Sequence, residues 1–509
     1  MQRTPCRARR RCVIALAAAA SLLATAVGAA ADDGDAPSLS LLLPSDRGLR
    51  ADIAWLVDRG VLALPLGVWP LASSTLRAAW SGVNPERLEP ADADALARVK
   101  RAVQRSTATL RIVGGVNSAR HPALDGSATA QGFAAGSINA YAGAANWGGQ
   151  LTLQATGDAL TPDAPQGSLA GSYAAFQSDN TVFAGGAVDR WWGPGQFTSP
   201  ILATAAQPIA GAFVRRVDDR VSESKWLSWL GRWGYEVSAG RLVHYTPNGT
   251  RTIGLRVYTK PWPNVELGLS RSILWAGEGR PHDWVALRDA LLGRSNVDGE
   301  ANKDDDPSDE IAGFDLRVSA VDDRRGIWVG YLHLVGEDEA GSMASKLFGT
   351  VGVQYKTIVD RARLEFTFEA TDTMPRHVFG LREAAPPPAY QHAVYEQGYY
   401  QGQLPLGAAI GGGGEIFTLG VAWTPIDDPR QLRVGAALFG GRMSAMGAQP
   451  RNAAWGVEGR LAGMSLDVSG ETAGGLKWQL GLSVQHYPAG GRPTAGVRAG
   501  VEMPVYGLR

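Results

Sequence analysis

The sequence predicts a mainly β protein: a transmembrane, antiparallel up-and-down β-barrel with a small N-terminal helical bundle. Three observations carry that expectation. From about residue 107 onward the chain is a train of short segments in which apolar and polar residues alternate. Its N-terminus reads as an export signal. Its mean hydropathy is −0.10, too low for a bundle of membrane helices but suited to strands that are half polar.

The alternation is plainest in three places. Leu364, Phe366, Phe368 and Ala370 alternate with Arg363, Glu365, Thr367, Glu369 and Thr371. Phe314, Leu316 and Val318 alternate with Asp315, Arg317 and Ser319, and Trp478, Leu480, Leu482 and Val484 with Gln479, Gly481, Ser483 and Gln485. Side chains of a strand point to opposite faces with period two, so each segment has one greasy and one polar face. Behind an export signal, many such segments describe a barrel with greasy residues toward lipid and polar ones toward the lumen. A soluble periplasmic β protein with its greasy face inward would alternate in the same way.

The elements follow in chain order. Arg3, Arg7, Arg9, Arg10 and Arg11 form a basic region, residues 13–27 an apolar stretch, and Ala29-Ala30-Ala31 a cleavage site, so the mature chain starts at Asp32. The stretch is too short and alanine-rich for a membrane span. Cys6 and Cys12 leave with it, so the mature chain has no thiol and no cysteine-based metal site. The expected division is residues 1–31 signal peptide, 32–105 periplasmic helical bundle and 106–509 outer-membrane β-barrel.

In the bundle, Ser45-Asp46 can cap a helix with the stripe Leu49, Ile53, Leu56 and Val57, ending at Gly60. Ser73 or Ser74 can cap a second, carrying Leu76, Ala79 and Trp80. A third runs from Pro90 to about Arg105 with Leu96, Val99 and Val103 on one face and Arg98 on the exposed side. Its early Asp92 and Asp94 and late Lys100, Arg101 and Arg105 match the helix dipole. So few residues make a marginal fold alone, which predicts docking on the barrel.

The strand region divides into about nineteen segments, one too many or too few, because single-chain bacterial barrels have even counts. Alanine and glycine blur the pattern between residues 134 and 189. Three interruptions stand out, at 191–208, 282–311 and 374–414. The second holds a short helix at 283–294, with Trp284, Leu287 and Leu291 on one face, and then an acidic run. Long connections in such barrels are extracellular and short turns periplasmic. A final barrel strand usually finishes on an aromatic residue; here Tyr506 comes three residues early, a departure from that pattern.

Composition excludes some functions. Lys plus Arg and Asp plus Glu both total 49, so there is no basic footprint for nucleic acid. The seven histidines form no HExxH pair, and no G-x-S-x-G occurs, so no enzyme is expected, and no cofactor or metal. Asp304-Asp305-Asp306 has oxygens suited to calcium, but such runs are more often solvated loops. The 64 glycines suit tight turns, and the 16 tryptophans suit interfacial belts.

One stretch is distinctive: Trp191-Trp192-Gly193-Pro194-Gly195, then Ser199-Pro200-Ile201-Leu202 and Gln207-Pro208-Ile209-Ala210-Gly211. With Asp58-Arg59-Gly60-Val61, Trp69-Pro70-Leu71, and the loop from Tyr390-Gln391-His392 through Tyr395 to Tyr399-Tyr400, Gly402, Pro405-Leu406-Gly407 and Gly411-Gly412, it resembles the Wzi family of capsule-assembly outer-membrane proteins. These motifs span essentially the mature chain. The resemblance implies a barrel of about 18 strands, a periplasmic helical bundle, and a surface lectin that holds capsular polysaccharide to the outer membrane.

The residues suit that role. Adjacent Trp191 and Trp192 face opposite ways on a strand; each offers an apolar face for a sugar ring, or serves as an interfacial belt residue. Tyr390, Tyr395, Tyr399 and Tyr400 offer apolar faces with polar tips, and His377, His392, Gln391, Gln397 and Gln401 add donors and acceptors. The same tyrosines could instead pack the lumen shut, and the two roles are compatible. The candidate polysaccharide-binding residues are therefore Trp191, Trp192, His377, Tyr390, His392, Tyr395, Tyr399 and Tyr400. Expected partners are capsular polysaccharide or exopolysaccharide, outer-membrane lipid and polysaccharide export machinery. The alternative reading is a diffusion channel (porin) for small solutes.

Overall fold

The computed structural model describes residues 38–117, 134–157, 167–217, 220–292, 308–322, 326–340, 343–375, 377, 379–384, 387–392, 394–444, 458–486 and 493–506. The expected signal peptide, residues 1–31, and the Asp304-Asp305-Asp306 run lie outside them. Strands form one closed antiparallel barrel of 18 staves in chain order, sealed where Thr494–Val505 lies beside Leu110–Asn117. Gly167–Ser168 and Tyr173–Ser178 both pair with Trp147–Gly157 and count as one interrupted stave. The interruption falls where alanine and glycine blur the sequence pattern.

Burial decides which way the greasy faces turn. In Ser308–Val321, Phe314 and Val318 are exposed while Asp315 and Arg317 are buried. In Ala362–Asp372, Phe366 and Phe368 are exposed while Thr367 and Glu369 are buried. Leu269, Leu419, Leu438, Leu480 and Leu482 each keep more than half of their surface. A soluble β protein buries such residues, whereas a wall greasy outside and polar inside is what a lipid-spanning barrel requires. Among the described residues no helix is long and apolar enough to cross a membrane.

The two ends differ. One has two-residue turns at 179–180, 263–264 and 360–361; Asp360 and Arg361 both adopt positive φ, as a tight primed hairpin turn demands. Exposed Trp147, Trp262, Trp328 and Trp423 lie near this end, and Trp226 and Trp229 stand out from its 217–231 connection. They form an aromatic girdle at one membrane interface. Tyr506, directly after the last strand, lies exposed at the same rim. The other end carries the long connections 188–209, 276–307 and 373–413.

The helices sit in the short-turn mouth of the lumen. The first, Arg47–Asp58, starts at Asp46, whose carboxylate accepts from Leu49 N at 3.0 Å, and it buries Leu49, Ile53, Leu56 and Val57. The second is Ser73–Trp80. Ser73 is its first helical residue rather than its cap; the Ser73 hydroxyl accepts from Ser40 N at 2.9 Å and donates to Ser38 O at 3.2 Å. The third, Pro90–Ser106, buries Leu96, Val99 and Val103, and its Asp92 accepts the Trp55 indole N–H at 2.8 Å. Arg98 is not exposed as expected. It pairs with Asp94 and donates to the carbonyls of Pro425 and Gln431, because the barrel wall covers that face.

Ion pairs hold the bundle to the wall. Asp58 meets Arg317 at 2.8 Å and Lys356 at 3.0 Å, and Asp52 meets Arg363 and Arg433. Burial by itself would raise both carboxyls, but the facing cations outweigh it and hold both below the usual carboxylate range. Near the opposite mouth lies the short helix Trp284–Leu292. Leu287 and Leu291 pack on Ile273 and Trp275 as their spacing suggests, but Trp284 points away into solvent.

Candidate functional site

Two segments from the long-connection end dive into the lumen. The first is 188–209. Trp191–Trp192 pairs antiparallel with Val68–Trp69 of the N-terminal segment, so the two plugs meet inside the barrel. The indoles do face opposite ways: Trp191 joins the helical cluster, and Trp192 joins the cluster around the tyrosine loop. Both are almost fully buried, so neither is a membrane-belt residue. The chain turns at Gly193 with φ 107°, where a Cβ would lie 2.4 Å from His333 Nδ1, so no side chain fits.

Carboxylates of the wall hold these segments by their backbone. Glu369 accepts from Gln196 N at 2.6 Å, Thr198 N at 2.8 Å and Phe197 N, and also from the Tyr331 hydroxyl at 2.8 Å. Glu266 accepts from Leu66 N and Gly67 N, and Glu337 from Tyr390 N at 3.0 Å. Glu236 takes the Trp192 indole N–H and pairs with Arg215. In the sequence Glu369 is one of the polar residues that alternate along its strand, and the other three carboxylates stand out no more than it does. Their signal is an acidic residue on the polar face of a strand, which does not say what stands opposite.

The second segment is 373–413. Tyr390, Tyr395, Tyr399 and Tyr400 are all buried in one cluster with Phe348 and Trp192. Tyr390 stacks on Tyr399 with centroids 5.8 Å apart and meets Phe348 edge-on at 5.2 Å. Every hydroxyl is used: Tyr390 donates to Pro200 O, Tyr395 to Ala276 O, Tyr399 to the Ser272 hydroxyl at 2.7 Å, and Tyr400 accepts from Gly412 N at 3.0 Å. Burial pushes the Tyr400 phenol up to about 12 and Tyr399 higher still, so both stay protonated. These rings close the lumen, and no sugar reaches their faces in this arrangement.

The histidines lie nearer the outer rim. His392 accepts from Val394 N at 3.2 Å and lies beside Tyr395, with Gln391, Glu396 and Gln397 at least partly exposed around it. His377 meets Asp372 through Nδ1 at 2.5 Å. Asp372, His377 and Glu415 together bring three possible metal-ligand atoms within 4.8 Å of one another. However, the Arg442 guanidinium lies 2.7 Å from Glu415 and 3.3 Å from His377 Nε2, and already supplies the positive charge there.

The lipid-facing shell and the filled lumen define a class: an outer-membrane-type β-barrel plugged from both ends. Within it the chain belongs to the family of the capsule assembly protein Wzi, whose pattern matches residues 110–487. It is 28% identical over 474 residues to an uncharacterized 55.8 kDa protein in the cps region of Klebsiella pneumoniae, covering 91% of this chain and 89% of that one. It also superposes on the solved structure of Wzi from Escherichia coli with a TM-score of 0.77 at 26% identity, covering 92% of this chain and all of that one. That protein is an outer membrane protein involved in group 1 capsule assembly and a carbohydrate-binding β-barrel.

Proposed function

We propose that this protein is exported by its first 31 residues, inserts in the outer membrane, and holds capsular polysaccharide or exopolysaccharide at the cell surface by binding rather than catalysis. Lipid and the polysaccharide export machinery are its proposed partners. The observation that carries this over the channel reading is the 373–413 segment. Its tyrosines close the lumen from the long-connection end, as a diffusion channel would not allow, while His377, Gln391, His392 and Gln397 stay near the outer rim. The buried rings are then the support, and the rim amides and imidazoles are the groups that meet sugar hydroxyls. One polymer spans many protein copies, so weak contacts add through avidity. The test compares cell-bound with shed polysaccharide in a His392→Ala, Gln397→Ala double variant. Shedding without loss of synthesis supports the reading; full retention in this variant and in a deletion strain alike refutes it.

A further inference from the structure

The lumen is filled unevenly. Where the wall runs from Gly414–Pro425 through Thr494–Val505 to Leu110–Asn117, inward positions such as Gly420, Ala437, Ser465 and Gly481 are small. A cavity of about 620 Å³ remains between that wall and the first and third helices. It extends from the short-turn mouth, at Arg101 and Glu471, up to Ser465 and Gly481. That volume suits a small ligand of a few rings.

Nine basic side chains line the cavity against six acidic ones. Three of the basic groups, Arg47, Arg50 and Arg101, make no ion pair among the described residues. Arg47 only lies over the Phe197 ring, 5.0 Å from its centroid. Arg50 donates to Gly195 O at 2.8 Å and covers Trp191, and Arg101 donates to the Gln431 side chain. Burial and the adjacent Arg47 charge bring the Arg50 guanidinium down to about 10, so an anion beside the pair relieves both. The side chains of Gln196 and Gln479 supply uncharged polar groups in the same cavity.

We propose that this cavity binds a carboxylate-bearing saccharide, entering from the short-turn side, with Arg47 and Arg101 engaging its carboxylates. The inference rests on the polysaccharide-binding reading above and names the acidic class of ligand. Calorimetry on the full-length mature protein in detergent tests it, with trigalacturonate as probe and maltotriose as the neutral control. Trigalacturonate should bind, and weaken with added salt, as partly solvated charges do. Arg47→Gln and Arg101→Gln should each weaken it about tenfold, the scale of one charge-assisted hydrogen bond, and Arg47→Lys should retain most of it. Heat-modifiable gel migration checks that each variant is folded. Equal binding of maltotriose, displacement by equimolar inorganic phosphate, or unchanged affinity in both glutamine variants overturns the proposal. Cells that retain surface polysaccharide while the purified protein ignores trigalacturonate overturn the cavity site and leave the surface-binding reading standing. Cells that shed nothing even when the gene is deleted overturn that reading instead.

Discussion

Glu369 gathers three consecutive backbone N–H groups of the inward segment and one tyrosine hydroxyl on a single buried carboxylate. Replacing it with alanine leaves these donors in the lumen without a partner, at roughly 1–3 kcal/mol for each buried group left unsatisfied. Glu369→Ala should therefore loosen the 188–209 segment, read as faster limited proteolysis there, while Glu369→Gln, which keeps one acceptor oxygen, should lie between it and the native protein. Equal resistance in all three would show that the pairing with Val68–Trp69 is enough. Asp52 and Asp58 supply a pH dependence. Their carboxyls lie below the usual range in the folded protein, so their stabilisation is complete above about pH 4 and is lost as pH falls through the depressed values. Plug stability, followed by protease protection of residues 47–106, should be flat between neutral pH and about 5 and fall only in stronger acid. Asp58→Asn should weaken the plug at neutral pH and flatten that fall.

At the scale of elements, the helical bundle and the tyrosine loop close the lumen from opposite mouths. Arg98 is buried and so unsuited to a topology test, but Glu86, in the exposed 81–87 stretch, is accessible. A cysteine at Glu86 should resist a membrane-impermeant maleimide in intact cells and react after permeabilisation; labelling of intact cells would put the bundle outside. In the loop, Tyr399→Ala removes a buried ring and strands the Ser272 hydroxyl. A large-to-small change of this kind costs about 3–5 kcal/mol where the site does not collapse. It should raise uptake of a large antibiotic, and shed polysaccharide only if the loosened loop carries the rim groups away with it.

For the whole molecule, a closed barrel satisfies every strand hydrogen bond internally, so the mature protein should fractionate with the outer membrane and shift on gels when heated. Recovery from the periplasm without detergent would end the barrel assignment. Because both plugs meet at Trp69 and Trp191, planar bilayers holding the native protein should show little conductance. Removing residues 374–412 should raise it; steady native conductance would favour the channel reading.

Much of this was legible in the chain itself. Period-two alternation in Ala362–Asp372 and Ser308–Val321 requires two-faced strands, and the stripes Leu49-Ile53-Leu56 and Leu96-Val99-Val103 require one-faced helices, because both patterns are local backbone geometry. The motifs around Trp191 and Tyr390 carry the resemblance to the family to which the chain belongs. What alternation does not contain is the direction of the greasy face, since lipid and a protein core are equally apolar; only barrel closure turned Phe366 outward and Glu369 inward. Nor could it tell that Trp192 and the four tyrosines lie in one buried cluster, or that Arg98 is covered by the wall. Those contacts join residues some two hundred to more than three hundred positions apart. Such partners are chosen by the closed shape of the lumen, which no local pattern encodes, and it is that shape which decides which aromatic rings plug the barrel and which polar groups remain at its rim.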